Sequence, residues 1–213
     1  MATVNTPYAV LSGDIVKSSA FPAQALHRLF QEMKATVRDF AKAHPQSVVG
    51  DLAVVQGDRW QILLRRPGLA ERMMASMAAV ARKHGQTTRI ALGIGAVDRL
   101  DAKHITESTG EAFTLSGRAL DELERLVYKK QYWRIEGAHI TPYRKILISI
   151  LGQIASSWSR AQAEAALLVL KGLTPAQALV ELGIQQPAFA KRLTAAQWSF
   201  FEATFREAES SNG

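Results

Sequence analysis

The sequence predicts an α/β chain of the α+β type: a sheet of split βαβ order followed by a purely helical C-terminal unit. Three observations predict it. Short β-rich runs alternate with amphipathic stretches up to about residue 135. No strand pattern remains after Pro142. Two Gly-Asp dipeptides, Gly13-Asp14 and Gly57-Asp58, stand where strand candidates end or turn.

Residues 8–11 form a β-rich run that Ser12-Gly13-Asp14 stops as a turn signal. Pro22 suits a first helical turn. Leu26, Leu29, Phe30, Met33, Val37 and Phe40 follow at three- and four-residue spacing, and Pro45 ends this helix. Residues 48–55 and 60–64 are strands around Gln56-Gly57-Asp58, hence a hairpin. Residues 68–84 form a second helix, with Leu69, Met73, Met77 and Val80 on one face. Residues 88–97 are a strand in which Gly93 and Gly95 mark close backbone approach. A third helix covers residues 111–128, and a last strand, residues 132–135, takes Tyr132 and Trp133 into the core. The first six elements match the ferredoxin-like arrangement, with helices on one face of an antiparallel sheet. A boundary at Pro142 gives two domains, 1–141 and 142–213.

Of the 213 residues, 47% are hydrophobic and 21% charged, which suits packed domains rather than disorder. The chain has no cysteine, which excludes disulfides and thiolate metal sites. Residues 1–6 lack the pattern of a signal peptide, and no run approaches the ~18 apolar residues of a membrane helix, so a cytoplasmic protein is expected. The net charge of +7 favours polyanionic partners. It is spread, however: residues 141–213 hold seven Lys/Arg against five Asp/Glu. The five histidines show no metal-ligand spacing.

In a split βαβ sheet the first strand and the hairpin are neighbours, so Asp14 and Asp58 are expected at one edge. Clustered carboxylates can hold a divalent metal that bridges phosphate oxygens. The segment from Gly13 through Ile15, Lys17 and Ser18 to the following helix would suit a triphosphate. The bland alternative is that both aspartates are turn residues.

The motifs Gly13-Asp14-Ile15-Val16-Lys17-Ser18, Gly57-Asp58, Arg89-Ile-Ala-Leu-Gly93 and Gly110-Glu-Ala-Phe-Thr114-Leu-Ser-Gly-Arg118 occur in this order over about residues 8–135. Their combination resembles a class III nucleotidyl-cyclase palm. The resemblance implies Mg or Mn on Asp14 and Asp58, and Arg118 as the transition-state arginine. It also implies a homodimer in which the aspartates of one chain face the arginine of the other. Thr114 stands where that family has its transition-state Asn, and Val54 where adenylyl cyclases place a base-reading Lys. Glu107 lies near the second base-reading position. The whole chain is similar to the SatD family, through the same start, Gly57-Asp58-Arg-Trp-Gln61, the segment from Gly110 to Arg118, and a C-terminal helix-turn-helix.

In the tail, residues 163–170 are helical and Gly172 stops them. Thr174-Pro175 opens a short helix with Ala178, Leu179 and Leu182 on its core face. Gly183 turns the chain, Ile184 plugs the core, and residues 187–193 begin the next helix. This pattern predicts a helix-turn-helix that presents Gln185, Gln186, Lys191 and Arg192 to DNA. A three-helix protein-interaction module is the alternative. Trp198, Phe200, Phe201 and Phe205 are expected in a core or a dimer seam. The readings are therefore a nucleotide-sensing DNA-binding regulator, a nucleotidyl cyclase or nucleotidyltransferase regulated by its tail, or an interaction protein with a relic site.

Overall fold

A computed structural model describes residues 6–125 and 130–210. It holds five strands, β1 (Tyr8–Ile15), β2 (Val48–Gln56), β3 (Arg59–Leu64), β4 (Thr88–Gly95) and β5 (Trp133–Gly137). The sheet order is β2-β3-β1-β4-β5. The pairs β2–β3, β3–β1 and β1–β4 are antiparallel, as a split βαβ requires, and β4–β5 is parallel. Eight helices are present among the described residues. In the first half they are α1 (Ala23–Ala43), α2 (Ala70–Lys83) and α3 (Glu111–Arg125); then come α4 (Pro142–Ser157), α5 (Arg160–Leu170), α6 (Pro175–Leu182), α7 (Gln186–Ala195) and α8 (Trp198–Ser210).

Period-two alternation decides which residues face which layer. Ala9, Leu11 and Ile15 of β1, Trp60, Ile62 and Leu64 of β3, and Ile90 and Leu92 of β4 join α1 and α2 in the main core. Val10, Leu63 and Ala91 point the other way, to α3 through Ala112, Ala119, Leu120 and Leu123. The helices of the first six elements thus share one face, and α3 covers the opposite one. Gly93 lets α3 approach: a Cβ there would lie 2.3 Å from the Ala112 carbonyl oxygen. Ser12 and Ser116 hydroxyls meet at 3.0 Å in the same contact.

The first strand does not stop at Ser12, as the turn signal suggested. It runs on to Ile15, with Gly13 opposite both Trp60 and Ile90. Gly13 is there for space, because a Cβ would sit 2.3 Å from the Trp60 ring. The fourth strand ends at Gly95 rather than residue 97, and the fifth begins at Trp133 and leaves Tyr132 half-buried. The part of the third helix expected over 126–128 lies outside the described residues.

Residues 142–157, at the start of the part expected to be purely helical, form α4. Thr141 caps it with Pro142 in its first turn, and it returns along β5, with Gly152 against Trp133 and Lys145 ion-paired to Glu136. A helix beside an edge strand shields its unpaired backbone groups. Helix α2 is buried almost all round, over Met73, Met74, Met77 and Val80 and the alanines between them, and only Arg72 and the C-terminal end reach partial exposure. A helix that is apolar on every side belongs inside a fold. The sheet covers one side of it, and α5, α8 and α4 cover the other.

One hydrophobic core therefore runs from the sheet through α2 into Trp158, Trp198, Phe201 and Phe205. Trp198 stacks on Phe201 at 5.9 Å, and Trp133 meets the same ring edge-on at 6.2 Å. Phe200 is turned outward. Glu71 of α2, fully buried, is ion-paired with Arg144 of α4, while its Oε2 has no partner. Burial pushes the Glu71 carboxyl up against the pull of that guanidinium. Among the described residues no helix is long and apolar enough to cross a membrane.

Candidate functional site

The register brings the first motif pair together. Because Gly13 is opposite Trp60, Asp14 lies beside Arg59, the residue after Asp58 in the tight turn. On its other side Asp14 is opposite Arg89 of β4. Arg89 grips it with two hydrogen bonds, Nε to Oδ1 at 2.9 Å and Nη2 to Oδ2 at 2.5 Å. The Asp14 side chain is 5% exposed and that of Arg89 13%. Thr88 donates its hydroxyl to the Asp14 carbonyl at 2.7 Å.

Two further carboxylates converge on this end. Arg59 donates to both Glu124 oxygens, at 2.7 and 2.8 Å, and to Asp121 at 3.3 Å, tying the last turns of α3 to the hairpin. Burial pushes the Asp14 carboxyl up, Arg89 pulls it down, and the negative charges of Glu124 and Asp58 push it up again. The net direction is upward. Asp58 is half-buried, and its carboxylate has no partner among the described residues.

A shared metal needs carboxylate oxygens that are free to coordinate it. Both oxygens of Asp14 are engaged by Arg89. Among the described residues, no group of three or more His, Asp or Glu is placed to hold an ion. As they stand, Asp14 and Asp58 do not fit a divalent metal.

The other expected site residues are spread out. Gly13 and Ile15 are strand residues, Ile15 with its side chain in the main core, so only their backbone belongs to this end of the sheet. Lys17 is exposed with φ 56°, in the left-handed region, and Ser18 opens the short 3-10 turn Ser18–Ala20. Glu107 is exposed in another short turn, Ile105–Glu107, which packs beside β2, and Val54 is exposed on β2 itself. Thr114, Arg118 and Asp121 lie three or four residues apart on the outer face of α3. The Thr114 hydroxyl donates to the Gly110 carbonyl, and Arg118 has no partner among the described residues. Within one chain Arg118 makes no hydrogen bond or ion pair with Asp14, whose partner is Arg89. The arginine that does reach Asp14 is Arg89, noted in the sequence only as part of a motif. Arg59 and Glu124 were not foreseen.

At the other end of the chain, α6 and α7 are joined by Gly183 at φ 61°. Thr174 and Gln177 form a reciprocal capping box at the start of α6. Ala165, Ala178 and Phe189 bury a small core between α5, α6 and α7, with Leu179, Leu182, Ile184 and Leu193 around it. Gln185, Gln186 and Lys191 are exposed and Arg192 is half-buried.

No family model matches this chain, and no curated protein does. Among solved structures, a bacterial light-regulated adenylyl cyclase is similar at TM-score 0.45 and 14% identity, over 61% of this chain and 75% of that one. A likeness of that size fixes neither the fold nor the activity of this chain.

Proposed function

We propose that the chain is a DNA-binding regulator whose α/β part takes a nucleotide at the Asp14 end of the sheet. The observation that carries the reading is the α6–Gly183–α7 unit. Its two short helices share a core with α5, and the start of α7 carries polar side chains facing solvent. A helix so presented suits a major groove, where Gln pairs with adenine edges and Lys or Arg holds phosphate or guanine. Replacing both Lys191 and Arg192 by Ala is expected to weaken binding to genomic fragments and to flatten its salt dependence. Fluorescence anisotropy at ~100 mM salt checks this. Wild-type protein that binds no fragment would turn the tail into a protein-interaction module.

For the nucleotide, the support is the exposed Lys17 and an Arg59 held only by half-exposed carboxylates. Such surface pairs are worth roughly 0–1 kcal/mol, so a phosphate can exchange for them. Calorimetry with ATP, in Mg²⁺ and in EDTA, is expected to show Arg59→Ala weakening affinity at least tenfold, about 1.4 kcal/mol. Equal affinity in both proteins removes the nucleotide from the reading.

The enzyme reading, a nucleotidyl cyclase or nucleotidyltransferase, has one specific observation in its favour: Arg118 stands exposed and unpartnered on α3. In the family that the sequence resembles, a second copy of the chain would supply that arginine to the aspartates. A new product mass after incubation with mixed NTPs and Mn²⁺ would favour it over the regulator.

A further inference from the structure

The two ends described above are joined by buried and half-buried hydrogen bonds. The backbone N–H of Val16, two residues after Asp14, donates to the Thr87 carbonyl at 2.9 Å. Arg82, in the last turn of α2, donates through Nη1 to the Thr87 hydroxyl at 3.3 Å and to the Gln86 carbonyl at 3.4 Å. Its Nε donates to the Trp158 carbonyl at 2.8 Å. Trp158 is the hinge between α4 and α5, capping the first and preceding the Ser159 cap of the second. The buried indole of Trp158 donates to the carbonyl of Ala196 at 2.9 Å, and Ala196 is the C-cap of α7.

We propose that this Val16–Thr87–Arg82–Trp158–Ala196 chain couples the loop after β1 to α7, so that a ligand at the Asp14 end alters how α7 is held. The proposal supplies the regulation within the regulator reading and rests on it for its biological sense. Its physical content stands apart from any ligand. Among the described residues, Arg82 is the one side chain that hydrogen-bonds both the strand-side turn and the hinge. Its planar donors are held at three acceptors, a geometry that an ammonium would not reproduce. The indole N–H, buried and donating to a helix C-cap, resists displacement because a lost partner would leave it unsatisfied. A shift of the loop must then be absorbed by Arg82 or passed to the hinge.

Hydrogen exchange of the full chain, without nucleotide or DNA, decides the matter. Arg82→Met keeps the stem and removes the donors. It is expected to speed exchange at least fivefold both in residues 16–19 and in 193–197, while α3 and α6 keep wild-type rates. Trp158→Phe keeps a ring and removes the indole donor; it is expected to speed 193–197 only. In the double variant, 193–197 should exchange no faster than in Trp158→Phe alone, because both changes cut one chain. Additive effects on 193–197, or an Arg82→Met effect confined to residues 82–87, would overturn the proposal. So would a uniform acceleration everywhere, which reports lost stability rather than coupling. Should DNA binding fail while this pattern holds, the coupling stands and the regulator reading falls.

Discussion

A chain ending at Thr141 is expected not to fold cooperatively, although it retains all five strands. The reason lies in α2. Its sheet-facing side would stay covered, but the side under α4, α5 and α8 would open to water. The loss includes the partners of Met73, Met74 and Met77 and the aromatic group of Trp158, Trp198, Phe201 and Phe205 around Trp133. Fully burying one large apolar side chain is worth about 1.5–3 kcal/mol, so exposing several exceeds the ~5–15 kcal/mol that holds a typical domain. Glu71 would also lose its ion pair with Arg144. Circular dichroism and urea titration of residues 1–141 check this; a sigmoidal transition with native-like helix content would show that the sheet half is self-sufficient. Co-expression with residues 142–213 is expected to restore the fold if the two pieces can still meet across α2.

That dependence was only partly legible in the sequence. The sheet came through because its strands are short and β-rich, the hairpin carries a Gly57-Asp58 turn, and residues such as Val10, Leu11, Leu63 and Leu64 are apolar on both covered faces. Helix α2 was read as amphipathic from Leu69, Met73, Met77 and Val80. The alanines and the extra methionine between them were the signal that it is covered all round. Alanine is small enough to sit on either kind of face, so periodicity alone did not separate the cases. Helix α4 was hidden differently. Its outer residues Tyr143, Ile146 and Ile150 are apolar yet exposed, so no polar face marks the helix.

At the site, proximity was readable and partnership was not. The two Gly-Asp motifs told which carboxylates approach each other. The identity of Asp14's partner depends on the register of β1 against β4, where a slip of one residue would turn Arg89 to the opposite face. Arg59 was visible as the neighbour of Asp58, but its hold on Glu124 bridges 65 positions in sequence and two layers of the fold. Gly13 was read as a phosphate-loop glycine, and its steric reason, the Trp60 ring, lies 47 residues away on another strand. In the tail the caps were fully local, so Thr174, Pro175 and Gly183 could be assigned without any long-range information.

The two aspartates are expected to differ sharply in what they do for stability, and this separates their roles. Asp14→Ala leaves Arg89 buried without its carboxylate, and removing one partner of such a pair costs about 3–5 kcal/mol. Asp58→Ala takes away a group with no partner, so its effect on stability should stay within about 0.5 kcal/mol. Arg89→Met alone strands Asp14 instead, with Glu124 and Asp58 still pushing its proton affinity up. Asp14→Leu combined with Arg89→Met removes both charges and should recover much of the loss, because a buried pair replaced by apolar groups is often neutral. Urea midpoints of the four proteins, read with unchanged slopes, give the comparison. The pH dependence follows from the direction of the Asp14 shift. A carboxyl raised in the folded protein binds its proton before the unfolded chain does as pH falls. Its contribution therefore favours the folded state on the acid side and is lost as pH rises through the folded value. In Asp14→Asn, acid unfolding should accordingly begin at a higher pH than in wild type. Equal costs for Asp14→Ala and Asp58→Ala would mean that the Arg89 pair is not formed in solution, and Asp14 would then be as free as Asp58 to meet a ligand.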